Sequence, residues 1–238
     1  MMKEKKEKKK EKKREKSLFR EYFELIAETA IFVFFVMTFV VQAFQIPTGS
    51  MVPTLLVGDF LLVNKLVYSN NSSSVEDKVM PHKELERYDI IVFKYPKELS
   101  KDFVKRVIAL EGEKIQIKDR QVYINDKPIP EEYKVHSDDN GSKNDYFRYN
   151  NDINDSFGPV VVPPGHCFVM GDNRDNSMDS RYWSFLPLSH IKGKPWIIYF
   201  SYKAEKGAYL KTSFRERMKK ILSFIPKARW KRFFHVVK

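Results

Sequence analysis

The chain has 238 residues, 42% of them hydrophobic, and a formal net charge of +12 that is confined to its two ends. The first 20 residues hold eleven Lys/Arg against four Glu and residues 211–238 hold ten against one, so the stretch between them is net negative. That distribution excludes a nucleic-acid-binding domain and points to membrane contact. The single cysteine, Cys167, excludes an intrachain disulfide and reads as a small buried hydrophobe.

Residues 1–24 form a basic tail, expected to stay cytoplasmic by the positive-inside rule. Residues 25–44 follow as an apolar run with one charge, Glu28, and after it no charged residue appears before Asp59. Twenty residues at 1.5 Å each cross a hydrocarbon core of about 30 Å, so a transmembrane helix is predicted there. The remainder, residues 45–210, is then extracytoplasmic. A cleaved signal peptide is the competing reading, because Val41-Gln42-Ala43 resembles a cleavage site; the long charged tail and the length of the run favour a span.

Beyond the span the pattern is mainly β. Short β-branched and aromatic runs recur at 60–67, 89–95, 103–110, 114–117, 121–124, 160–162, 166–170 and 196–200, with turn residues between them. Asp119-Arg120 and Asn125-Asp126 predict the turns of a hairpin meander. Two polar stretches, about 69–86 and 128–160, read as insertions, the second as part of a smaller lobe. Residues 211–238 end the chain as a basic amphipathic segment: Phe214, Met218, Ile221, Leu222 and Ile225 keep helical spacing, and Trp230, Phe233 and Phe234 follow. Such a segment is expected in a lipid interface, with packing on its own domain as the alternative.

The chemistry concentrates after the apolar run. Pro47-Thr48-Gly49-Ser50-Met51-Val52-Pro53 places a serine in a proline-framed turn, and both prolines bias the residues before them toward extended backbone. Six residues from Phe44 to Ser50 reach at most about 20 Å, which keeps the serine near the bilayer surface. A serine hydroxyl attacks only when a base removes its proton. The five histidines are scattered outside any recognisable triad motif. Lys105 lies in a strand-like run where alternation puts it on one face with Phe103 and Val107. Burial there would lower its pKa toward about 8, at a cost of about 3 kcal/mol. By itself that lysine reads first as a surface residue beside Arg106.

Four segments together decide the reading. Pro47-Thr48-Gly49-Ser50-Met51-x-Pro53-Thr54-Leu55, Gly58-Asp59-x-x-x-Val63-Asn64-Lys65, Lys105-Arg106-Val107 and Gly171-Asp172-Asn173-Arg174-Asp175-Asn176-Ser177-x-Asp179-Ser180-Arg181 resemble the type I signal peptidases in order and spacing. The resemblance implies a β-rich catalytic domain behind a single-pass anchor in the cytoplasmic membrane. It also implies a serine/lysine dyad that cuts signal peptides after small-x-small sites. Ser50 would be the nucleophile, Lys105 the base and Ser177 the residue orienting the amine. The Ser50 N–H and the Thr48 hydroxyl would form the oxyanion hole, and Asp179 and Arg181 would brace the site. Ile46, Met51, Leu55, Phe103 and Val104 match the family's substrate pockets. The implied partners are signal-peptide-bearing preproteins, membrane lipid and the secretion machinery; no cofactor, metal or nucleic acid is implied.

Ala109-Leu110-Glu111-Gly112-Glu113 departs from the glycine- and proline-containing turn usual after the family's lysine motif, and Thr48 stands where many members have serine. Three other functions compete. A self-cleaving repressor would share the dyad but lack the span. Ser189-His190-Ile191-Lys192 matches the S-x-x-K motif of penicillin-binding enzymes, without the Ser-Asp-Asn partner those enzymes carry. An anchored binding protein would have no use for the intact set of Ser50, Lys105, Ser177 and Asp179.

Overall fold

A computed structural model describes residues 18–68, 83–136, 156–203 and 227–237. The chain divides into two units, one ending at Val40 and one beginning at Val41. The first contains helix α1, Leu18–Phe35, continued by a π-helical turn over Val36–Val40. Its aromatic and aliphatic side chains are exposed all round, and by length and composition the 23 residues Leu18–Val40 suffice to cross a membrane.

This helix differs from the expected span, 25–44, at both ends. It starts earlier, where Arg20 pairs with Glu24 one turn on at 2.8 Å, and it stops at Val40. Residues Val41–Gln45 form strand β1 instead, paired antiparallel with β2, Asp59–Asn64. A continuous apolar run carries no periodicity that separates helix from strand, so Val41-Gln42-Ala43-Phe44 was absorbed into the span when read from sequence.

The second unit holds two sheets. The large one adds β3 (Ile90–Lys94), β4 (Asp102–Ala109), β9 (His166–Met170), β10 (Leu186–Pro187), β11 (Ile191–Ser201) and β12 (His235–Val236). Its order is β1-β2-β11-β3-β4-β9-β10, with β12 paired to β11. The small sheet, β7-β6-β5-β8, uses β5 (Lys114–Lys118), β6 (Gln121–Ile124), β7 (Lys127–Pro128) and β8 (Phe157–Val161). Asp119, Arg120, Asn125 and Asp126 all have positive φ, so the two predicted turns are tight two-residue hairpin turns. The inserted lobe thus begins at β5, before the expected boundary near 128. It is not an independent core: Ile115, Ile117, Val122 and Ile124 pack with Ile108 of β4 and Phe168 and Met170 of β9.

Two further apolar clusters lie along the strands of the large sheet. One joins Ile46, Met51 and Leu55 to Leu61, Val63, Ile90 and Ile198; the other joins Phe93, Val107, Val169 and Trp183. Cys167 belongs to the second, and burial pushes its thiol up to about 12, as an inert apolar residue requires. Most of the polar insertions, and the helical-period part of the C-terminal segment, lie outside the described residues. The described end of that segment, 227–237, packs on its own domain: β12 pairs with β11, Val237 is buried, and Phe233 meets the ring of Phe200. The lipid reading therefore does not hold for Phe233, Arg229 or Arg232, whose side chains are engaged within the domain.

Candidate active site

The loop between β1 and β2 carries Ser50. Its base is closed by Ile46 N–H donating to Asp59 O at 2.8 Å and Gly58 N–H to Ile46 O at 3.0 Å. Within it the chain coils tightly: Val52 N–H donates to Gly49 O and Leu55 N–H to Met51 O. The extended arm expected after Ser50 is thus a turn, pinned by the buried side chains of Met51 and Leu55.

β4 brings Lys105 to this turn, with Nζ 2.6 Å from Ser50 Oγ. Lys105 is 4% exposed, and among the described residues no carboxylate pairs with it. Burial pulls its amine down to about 8; the charges of Asp179 and Asp172 oppose that fall and Arg181 adds to it. Phe103, two residues earlier, sets its ring 5.5 Å from Nζ.

The loop after β9 supplies the frame. Asn173 N–H donates to Ser50 O at 3.1 Å and its Nδ2 to Gly49 O at 3.3 Å, which clamps the Ser50 turn. Asp172 accepts the Thr54 hydroxyl at 2.6 Å and both Nε and Nη2 of Arg106, at 2.9 and 2.8 Å. Arg106 also donates to Tyr88 O and lies 4.1 Å from the centre of the Tyr133 ring. Gly171 sits where no larger residue fits. A β-carbon there would lie 2.3 Å from Ser177 Oγ and 2.5 Å from Ser50 O, so its lack of a side chain lets the two segments meet.

Asp179 caps the short helix α2, Ser180–Trp183, and takes a two-pronged ion pair from Arg181 at 2.8 Å through each oxygen. Burial raises the pKa of that carboxyl, but Arg181 and the Gly171 N–H outweigh it and hold the group below the usual range. Arg181 reaches on to Arg174 O at 2.7 Å, and Arg174 pairs with buried Glu131. Ser177 Oγ is buried close enough to Asp179 to favour its charge, yet among the described residues it has no hydrogen bond of normal geometry, to Lys105 or to any other group.

A cleft of about 380 Å³ opens over Ser50 and Lys105. Ile46, Met51, Phe103 and Val104 line it, together with Phe44, Thr48, Asp102, Asn176 and Met178. Leu55 does not: it is fully buried behind the turn, packed in the core with Leu61 and Ile90. Thr48 is exposed at the rim, and among the described residues neither its hydroxyl nor the Ser50 N–H is engaged within the protein. None of the described histidines lines the cleft, and among the described residues no cluster of His, Cys, Asp or Glu is placed to hold a metal.

Sequence reading named Asp179 and Arg181 as braces but gave no role to Arg106, Asp172, Asn173, Thr54 or Gly171. All five stand in the quoted segments; their contacts span up to 124 residues of chain, which spacing along the sequence does not express.

The family model described as "Signal peptidase, peptidase S26" matches residues 19–200. Signal peptidase I of Pseudomonas aeruginosa is 34% identical over 199 residues, covering 73% of this chain and 69% of that one. Signal peptidase I of Aquifex aeolicus is 36% identical over 220 residues, covering 72% and 80%. A solved signal peptidase I from Enterococcus faecalis V583, 30% identical, aligns over 47% of this chain and 97% of its own with a TM-score of 0.36, too partial a likeness to add to the assignment. The class defined by these matches is that of the serine endopeptidases. The chain belongs to the signal peptidase family, peptidase S26.

Proposed function

We propose that this enzyme removes signal peptides from exported preproteins by a Ser50/Lys105 dyad, on the outer side of the cytoplasmic membrane that α1 spans. The observation that carries the reading is the 2.6 Å approach of Ser50 Oγ to a buried lysine without a carboxylate partner. Near pH 8 about half of such amines are neutral, which is the state a general base requires.

The substrate enters the cleft extended, between residues 44–48 and 102–104, and adds as a strand. Its side chains meet Ile46, Met51, Phe103 and Val104, whose apolar walls suit small residues at the first and third places before the cut. Lys105 takes the Ser50 proton as Oγ attacks the scissile carbonyl. The developing oxyanion receives the Ser50 N–H and the Thr48 hydroxyl, neither of which has a partner among the described residues. The lysine then gives its proton to the leaving amine, and a water activated by the same amine releases the acyl group. The unpartnered hydroxyl of Ser177 suits the orienting role, engaging the amine once the proton has moved. Asp179, Arg181 and Asn173 hold the frame and touch no reacting atom.

The N-terminal basic tail stays in the cytoplasm, lipid surrounds the helix, and the secretion machinery delivers the substrate. Cleavage of a model preprotein with an Ala-x-Ala site by detergent-solubilised protein tests the reading. Wild type should cut after the last Ala, and folded Ser50→Ala and Lys105→Ala should not. Full activity in either variant would remove the dyad.

A further inference from the structure

The described C-terminal arm, residues 227–237, has no part in the cleft, yet two of its arginines reach the loop that carries Ser50. Asp59, wholly buried at the end of that loop, accepts Leu56 N–H at 2.8 Å, Ser201 Oγ at 2.6 Å, and Nε and Nη2 of Arg232 at 3.2 and 2.6 Å. Arg229 stands 3.6 Å from the same carboxylate. Each guanidinium also grips loop backbone: Arg232 Nη2 donates to Thr54 O at 2.9 Å and Arg229 Nη1 to Val57 O at 3.1 Å. Thr54 is thus held from two sides, its hydroxyl by Asp172 and its carbonyl by Arg232.

The arm's attachment does not need these side chains. β12 pairs with β11, Val237 N–H donates to Trp196 O at 3.0 Å, and Arg229 N–H donates to Ser201 O at 2.9 Å. The guanidinium contacts are additional to that docking and, apart from a 3.4 Å contact of Arg229 Nη1 with Ser201 Oγ, they converge on residues 54–59.

We propose that the C-terminal arm is a clamp that positions the nucleophile's turn, with Arg232 as its positioning residue. The proposal rests on Ser50 being the nucleophile. A catalytic serine must sit within a fraction of an ångström of its base and of the scissile carbon. The front of the turn is open to substrate, so its placement comes from behind, from Asn173 and Asp172 on one side and from the arm on the other. Releasing Arg232 leaves the cleft walls at Phe103 and Val104 untouched, so binding persists while attack slows.

The test measures kcat, KM and melting temperature of the full chain in detergent with a model preprotein, for wild type, Arg232→Ala, Arg232→Lys and Lys231→Ala, the last an exposed neighbour. Arg232→Ala should lower kcat about ten- to a hundred-fold with KM within about two-fold. Arg232→Lys should recover part of that loss, and Lys231→Ala should match wild type. Because Arg232→Ala leaves a buried carboxylate short of a partner, Asp59→Asn combined with Arg232→Gln is measured alongside; it removes both charges and should show the same kcat loss in a folded protein. Full kcat in folded Arg232→Ala, or a loss that only follows unfolding in both variants, overturns the clamp. Ser50→Ala run in parallel separates the two readings. Activity in Ser50→Ala removes the nucleophile assignment, whereas an inactive Ser50→Ala beside a fully active Arg232→Ala removes the clamp alone.

Discussion

Lys105 and Arg106 are adjacent on β4 and equally buried at 4% exposure, but their surroundings differ in kind. Arg106 meets a carboxylate in two-pronged geometry, a backbone carbonyl and an aromatic ring. Lys105 meets one hydroxyl and an apolar ring. Burial of a cation with a full set of partners builds a strut; burial of a cation without a carboxylate builds a base. On the proposed mechanism the two neighbours on one strand divide the work of holding the site and of doing its chemistry.

The largest effect should come from removing the base. Lys105→Met and Ser50→Ala should each lower kcat/KM by about 10⁴-fold or more. Lys105→Met should at the same time stabilise the fold at pH 7. The lysine is charged in both folded and unfolded chains at that pH, and its folded pKa of about 8 against 10.5 unfolded corresponds to a burial penalty of about 3 kcal/mol. Because the unfolded chain binds more protons between pH 8 and 10.5, wild-type stability should rise with pH across that window and the Met variant should lack the rise. Thermal melts of both proteins from pH 7 to 10.5 check this, and a parallel pH dependence would contradict it.

Arg106→Met should behave in the opposite way. It leaves Asp172 buried with only the Thr54 hydroxyl among its side-chain partners and should cost about 3–5 kcal/mol. Asp172→Asn in the same chain should recover part of that cost; a single variant that melts like wild type would show that the strut carries no weight. Thr48→Val, which keeps the shape and removes the donor, should lower kcat about 10²- to 10³-fold and leave the melting temperature unchanged, with Thr48→Ser close to wild type. The smallest change is Gly171→Ala. Its methyl would force apart Ser177 and the Ser50 carbonyl, and overpacking of this kind costs about 1–3 kcal/mol, visible as a lower melting temperature together with lower kcat.

How legible each part was depended on the range of the interaction. The turns at Asp119-Arg120 and Asn125-Asp126 are local, so residue type alone places them. In the large sheet β2, β3, β4, β9 and the second half of β11 were placed by their β-branched runs; the two-residue strands β10 and β12 were not, nor was β1, whose pairing with β2 rather than its composition makes it a strand. Ser50 and Lys105 were legible through the resemblance of their segments, and the 2.6 Å contact between them spans 55 residues. Leu55 was misplaced because a motif does not say which side of a turn a side chain takes. Arg229 and Arg232 read as lipid-facing charge because their partner, Asp59, lies about 170 residues earlier in the chain.

The central claim is that the amine of Lys105 is neutral enough near pH 8 to serve Ser50 as a base. Its most direct measurement is the titration of that amine by NMR on protein carrying ¹³C-labelled lysine, assigned by difference against Lys105→Met. The account predicts a midpoint at about 8, matched by the rising limb of the pH–kcat/KM profile. A Lys105 midpoint at the ordinary value of 10.5, with activity already full below pH 7, would contradict it.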